Sequence, residues 1–248
     1  METSFTSTGV LALLSLGLVF GLKHATEVDH VVAISTIVSE HRSVFRSALV
    51  GGLWGIGHTA SLVVVGVVVL VFRAAIPVPV ANWLEFAVAL MIIGLGLLAM
   101  TRVLRRRSDV HLHKHSHDGV SHVHLHFHEA TTQHGHGRSS THIHAVSSIG
   151  IKPVLVGTMH GVAGSGALTL LVLTQINSAW LGLLYLAIFG VGSIVGMLLM
   201  SGLIGLPFAL TSRNLSGLHH RLQAAAAGLS IAFGLWYAYQ TGLASGLF

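Results

Sequence analysis

The chain has 248 residues, 52% of them hydrophobic and only 8% charged, against about 25% charged in an average soluble domain. So apolar a chain lacks the polar surface to coat a soluble globule, and bilayer lipid is its expected solvent. The formal charge of +5 does not point to nucleic acid, because the arginines cluster beside hydrophobic runs, and with no cysteine any metal must be held by nitrogen and oxygen rather than thiolate.

Six apolar segments follow one another, roughly 9–38, 47–72, 83–101, 153–174, 179–206 and 223–243. Most reach the ~20 residues a helix needs to cross the hydrocarbon core. The start of the first, "METSFTSTGVLALLSLGLVFG", has neither a basic n-region nor a clear small-residue cleavage site, and is expected to be a retained span, not a signal peptide. Pro77 and Pro79 lie between the second and third segments, Pro153 opens the fourth and Pro207 closes the fifth. The fold class expected is all-α: a polytopic membrane protein of about six transmembrane helices.

Within the first segment stands HATEVDH, residues 24–30, preceded by Lys23. Ionisable groups at membrane depth are costly and mark an ion path or a site by default. The candidates are His24, Glu27, Asp29 and His30, with His58 on the second segment and His160 on the fourth. A lone membrane histidine often only hydrogen-bonds a neighbouring helix. Two acids and two histidines within seven residues are too expensive for that role. Imidazole and carboxylate without sulfur suit a borderline divalent transition metal, not copper(I). In a straight helix six residues turn about 600°, so His24 and His30 would point about 120° apart. Either the helix unwinds between them or each ligates with partners elsewhere, and Gly21 makes a break at the motif reasonable. Lys23 is a counter-charge or a partner for Asp29.

Between the third and fourth segments, residues 102–150 form a histidine-rich loop. Twelve of the nineteen histidines fall there: His111, His113, His115, His117, His122, His124, His126, His128, His134, His136, His142 and His144. Such a tract cannot form a packed core and is expected to be disordered. It is an auxiliary binder of nickel, cobalt, zinc or copper, with an affinity that falls as imidazole protonates. A cytoplasmic metallochaperone is a candidate partner for it.

Eleven lysines and arginines flank the connections after the first, third and fifth segments, against Arg73 alone on the other side. By the positive-inside rule this places the loop in the cytoplasm and both termini outside, in the cytoplasmic membrane. The loop divides the chain into a three-helix repeat, 1–101, the loop, 102–150, and a second three-helix repeat, 151–248. An odd number of spans per half makes the halves run in opposite directions, as in an inverted repeat. "GLKHATEVDH" then "GGLWGIGHTASLVVVG", against "VGTMHGVAGSG" then "FGVGSIVGMLLMSG", is weak internal similarity in its favour.

"KHATEVDHVVAIST" resembles the signature of the nickel/cobalt transporter family, a histidine followed five residues later by Asp-His, here His24, Asp29 and His30. "GIGHTASLVVVG" is similar to its second motif, here Gly57, His58 and Thr59, and "GMLLMS" to a further Gly-Met motif. The chain departs from the pattern at Lys23, Glu27 and Ser201, where the family usually has arginine, aspartate and aspartate, and a later acidic motif is replaced by "MHGVAGSGAL" with His160. With six spans it looks like a shorter branch, similar to the urease-associated nickel permeases. The resemblance implies transport of nickel(II) or cobalt(II) as cargo, with no prosthetic group and no enzymatic activity. It implies that His24, Asp29 and His30 bind the ion, that Glu27 assists or carries a proton, and that His58 and His160 complete the site. Uptake by alternating access is the favoured direction. An efflux pump loaded by the loop is an alternative, and an intramembrane metal-dependent hydrolase a weaker one, since no H-E-x-x-H run is present. No G-x-x-x-x-G-K-[ST] run indicates ATP use.

Overall fold

The computed structural model describes residues 7–72, 77–107, 110–117, 120–127, 146–163, 172, 175, 176 and 178–247. In chain order these form α1 (Ser7–His24), α2 (Val28–Val38), α3 (Val44–Phe72), α4 (Val78–Arg107), the strands β1 (Val110–His117) and β2 (Val120–Phe127), α5 (Val146–Ala163), α6 (Ala179–Asn214) and α7 (Ser216–Ala238). A π-helical turn, Tyr239–Leu243, ends α7. Among the described residues, four helices are long and apolar enough to cross a membrane: α1, α3, α4 and α6. Large apolar side chains such as Leu11, Val64, Phe72, Leu97, Trp180 and Leu203 stand exposed on their outer faces. Patches of this extent need lipid to cover them, and the protein is a helical membrane protein.

The first expected span is two helices. α1 stops at His24 and α2 starts at Val28, with Glu27 extended at φ −63° and ψ 147° between them. Gly21, expected to ease this break, instead lies inside α1. Two prolines also fall inside helices and not at their ends, Pro153 in α5 and Pro207 in α6. A proline removes one backbone hydrogen bond, which membrane helices tolerate where neighbours re-satisfy the freed groups. Part of the fourth expected span, 164–171, lies outside the described residues, as do His128, His134, His136, His142 and His144. Over 110–117 and 120–127 the loop forms two antiparallel strands, where a chain without structure was expected. Its H-x-H-x alternation has the two-residue period of a strand, and the register sets His111 against His126, His113 against His124 and His115 against His122.

The short α2 is the centre of the bundle. Ala33, Ile34 and Val38 are buried in one cluster with Trp54, Val88, Ile92, Met197, Phe208 and Ala226, which come from α3, α4, α6 and α7. Side chains bond across to neighbouring backbones: Gln223 Nε2 donates to the Ser39 carbonyl at 2.8 Å and Ser230 Oγ to that of Ile92 at 3.0 Å. Around this centre α3 packs on both α5 and α6, α6 also packs on α1, and α4 pairs with α7. The α1–α6 and α3–α5 crossings are backbone on backbone. A Cβ on Gly21 would run into the carbonyl of Phe189, and one on Gly157 into that of Trp54. These crossings bring the histidine-bearing turns together.

Candidate metal centre

The break between α1 and α2 resolves the angular problem of the motif. Thr26 N donates to the Lys23 carbonyl at 2.9 Å and Glu27 N to that of His24 at 3.1 Å, which reverses the chain in one tight turn. His24, at the end of α1, and His30, in the first turn of α2, then have ring centroids 4.5 Å apart. Asp29 also falls in that first turn, where the helix dipole favours a negative charge. α3 adds His58, with centroids 4.9 Å from His24 and 5.1 Å from His30. α5 adds His160, 4.2 Å from His30. All four imidazoles are buried.

The carboxylates hold the imidazoles. Asp29 Oδ1 accepts from the His30 backbone N–H at 2.9 Å and lies 3.0 Å from His30 Nδ1, while Oδ2 lies 2.8 Å from His160 Nε2. Glu27 Oε2 lies 3.1 Å from His24 Nδ1. A carboxylate on one ring nitrogen fixes the tautomer and frees the other nitrogen as a lone-pair donor, the usual support of a metal-binding histidine. His30 Nε2 is accordingly buried with no hydrogen-bond partner, as are His58 Nδ1 and His160 Nδ1. His24 Nε2 and His58 Nε2 approach to 2.8 Å. A tetrahedral ion with bonds of 2.0–2.1 Å would hold them about 3.3 Å apart, a small adjustment. Two groups thus offer ligand atoms within 4.8 Å of one another: His24, His30 and His58, and Asp29, His30 and His160. His30 belongs to both.

In an alignment of 246 positions that covers 96% of it, the chain is 37% identical to the urease accessory protein UreH of Bacillus sp. (strain TB-90), 96% of which is covered. It belongs to the UreH family of urease accessory proteins. No protein-family model matches the chain, and no solved structure does. The match runs almost end to end, so the UreH relative has the same short length, and the family is the urease-associated one to which the motifs pointed.

All six intramembrane residues singled out from the sequence meet in this one place. Lys23 does not join them: it is exposed, and the Asp29 oxygens are taken by the two imidazoles and a backbone N–H. The sequence reading missed two aromatic residues. Trp54 lies with its ring 5.2 Å from His30 and 5.5 Å from His160, and Phe189 lies 5.6 Å from His24. Trp54 precedes His58 by four residues, so helical spacing alone puts both on one face, whereas nothing local marks Phe189. It missed Glu85 too, an acid within α4 that hydrogen-bonds Tyr237 of α7.

Proposed function

We propose that the chain carries a divalent transition metal ion, nickel or cobalt, across the cytoplasmic membrane, and that His24, His30 and His58 are its ligands at the midpoint. The observation that carries this reading is the buried cluster of four imidazoles, three of whose ring nitrogens have no partner. Neutral nitrogen donors at that density match nickel and cobalt better than magnesium or calcium. Asp29 orients His30 and His160 and joins the ligand set as the ion passes toward His160, with His30 common to both positions. Glu27 supports His24. Membership of a urease accessory family supports nickel as cargo and uptake as the direction.

The mechanism is alternating access between two inverted halves, α1 to α4 and α5 to α7. Exchange of the halves turns the α3–α6 and α4–α7 contacts into themselves and the α1–α6 contact into the α3–α5 contact, so the packing is compatible with a two-fold relation. Local detail supports it. Gly57 meets the Val154 carbonyl as Gly192 meets that of Leu18, and Gly157 meets the Trp54 carbonyl as Gly21 meets that of Phe189. In this picture the ion sits where the halves meet, and the loop, on the cytoplasmic side, gathers or buffers it.

The test is reconstitution of protein lacking residues 109–145 into liposomes loaded with a nickel-sensitive dye, beside His30→Ala in the same background. Flux that survives the deletion and vanishes in His30→Ala is expected. No nickel or cobalt flux from folded protein overturns the reading. Direction is read in cells: loss of an importer protects against toxic nickel, and loss of an exporter sensitises.

A further inference from the structure

A cavity of about 480 Å³ opens on the side of the bundle that carries the histidine-rich loop. It is lined by α2 and the turn after it, by α3, by α4 from Leu95 to Arg102 and by α5 from Lys152 to Val156. Its charged and apolar residues are sorted by depth. α4 runs from Leu95 toward the loop at Arg102, and α5 runs from the loop end at Lys152 toward Val156. At ~1.5 Å per residue, Leu95 lies about 10 Å below Arg102 and Val156 about 6 Å below Lys152. Glu40, paired with Arg102, stands at the same end as the two cations.

The rim and the depth differ in chemistry. With Arg102 and Lys152 against the single carboxylate of Glu40, the rim carries a net positive charge. Arg102 gives Nη1 to Glu40, but a guanidinium has five donors in a planar fork, so it can hold a second anion as well. Below the rim Ile37, Val50, Leu95, Leu98, Leu155 and Val156 form an apolar trough. Leu98 is 56% exposed and Leu155 59%, which puts the mouth of the trough on the outer surface of the bundle, where lipid lies.

We infer that this cavity holds one anionic phospholipid, with its phosphate at Arg102 and Lys152 and the upper part of an acyl chain along Leu95, Leu98, Leu155 and Val156. Charge and shape both select it. A soluble phosphate leaves the apolar trough uncovered, and a zwitterionic lipid brings a cation of its own to a positive rim. Basic pockets between membrane helices recognise anionic headgroups in this way. Glu40 competes with the phosphate for Arg102 and moderates the affinity. The lipid thereby bridges α4 and α5, the helices at either end of the loop. The inference needs only a helical membrane protein and does not depend on transport.

The test is native mass spectrometry of the full-length protein in detergent, titrated with phosphatidylglycerol, with phosphatidylcholine of the same chains, or with glycerol 3-phosphate. One phosphatidylglycerol is expected to be retained, and neither of the other two to displace it at equal concentration. Lys152→Gln and Arg102→Gln are each expected to weaken binding about fivefold, the usual share of one basic residue beside anionic lipid. Glu40→Gln, which removes the competitor, is expected to tighten binding by a similar factor. Arg221→Gln, on α7 and outside the lining, is expected to change nothing. Phosphatidylglycerol with a photoreactive group in its acyl chain is expected to label α4 and α5 between Leu95 and Ala99 and at Leu155 and Val156, and to lose that labelling in Lys152→Gln. Lys152 is exposed, so this variant keeps the fold, which its thermal midpoint checks. Equal retention of phosphatidylcholine, displacement by glycerol 3-phosphate alone, no gain from Glu40→Gln, or an Arg221→Gln loss as large as that of Lys152→Gln would each overturn the inference.

Discussion

His24 and His160 come from different halves of the chain, yet each lies against an aromatic ring of the crossing helix, at 5.6 Å from Phe189 and 5.5 Å from Trp54. Each also follows, by three residues, a glycine that lets the two backbones touch. The surroundings then diverge. One step past Gly57, α3 offers His58, while one step past Gly192, α6 offers Ser193, whose buried hydroxyl has no hydrogen-bond partner. His24 faces His58, whereas His160 faces Asp29. The main-chain scaffold is thus alike on the two sides and the ligand chemistry is not. The first half supplies most of the donors and the second one histidine, while both supply the glycines of the close crossings.

The sharpest way to break this comparison is at the residue both sides share. His30→Ala is expected to reduce nickel flux to that of empty liposomes. Next come His24→Ala and His160→Ala, expected to cut flux to similar extents; a His160→Ala protein that transports normally would confine the site to the first half. Asp29→Asn keeps the shape but loses the charge that orients two imidazoles, and should weaken metal affinity about 10–100-fold, read by competition with a chelating dye. The packing side is tested by Gly21→Ala and Gly157→Ala. Each forces a methyl into a backbone carbonyl and should destabilise by about 1–3 kcal/mol, seen as a lower thermal midpoint in detergent. Gly94, with open space around its Cα, is the control: Gly94→Ala should be neutral or stabilising. Smallest is Glu40→Gln for stability, since an exposed pair with Arg102 is worth about 0.2–1 kcal/mol.

Much of the site was legible because its polar atoms are so expensive in lipid. HATEVDH could not be glue, and the angular mismatch between His24 and His30 required either an unwound helix or partners elsewhere. The break fell between His24 and Val28, not at Gly21, because the glycine answers to a contact 168 residues away, with Phe189. That is a tertiary demand with no local trace. The same holds for Phe189 itself, one apolar residue among many in an apolar helix. Helix ends were less legible than helix existence: Pro153 and Pro207 read as boundaries, yet the bundle keeps both inside helices. In the loop, composition argued for a chain without order, whereas the alternation of histidine with other residues is the two-residue period of the paired strands β1 and β2.

The glycine crossings have a further consequence for descent. Where two helices meet main chain to main chain, the spacing between them does not depend on the side chains that point into the site. A lineage can therefore exchange one inward-facing residue for another, as the histidine beside Gly57 and the serine beside Gly192 already differ, without rebuilding the frame. On the proposed reading, such an exchange would change which ion the site prefers and leave the glycine crossings in place.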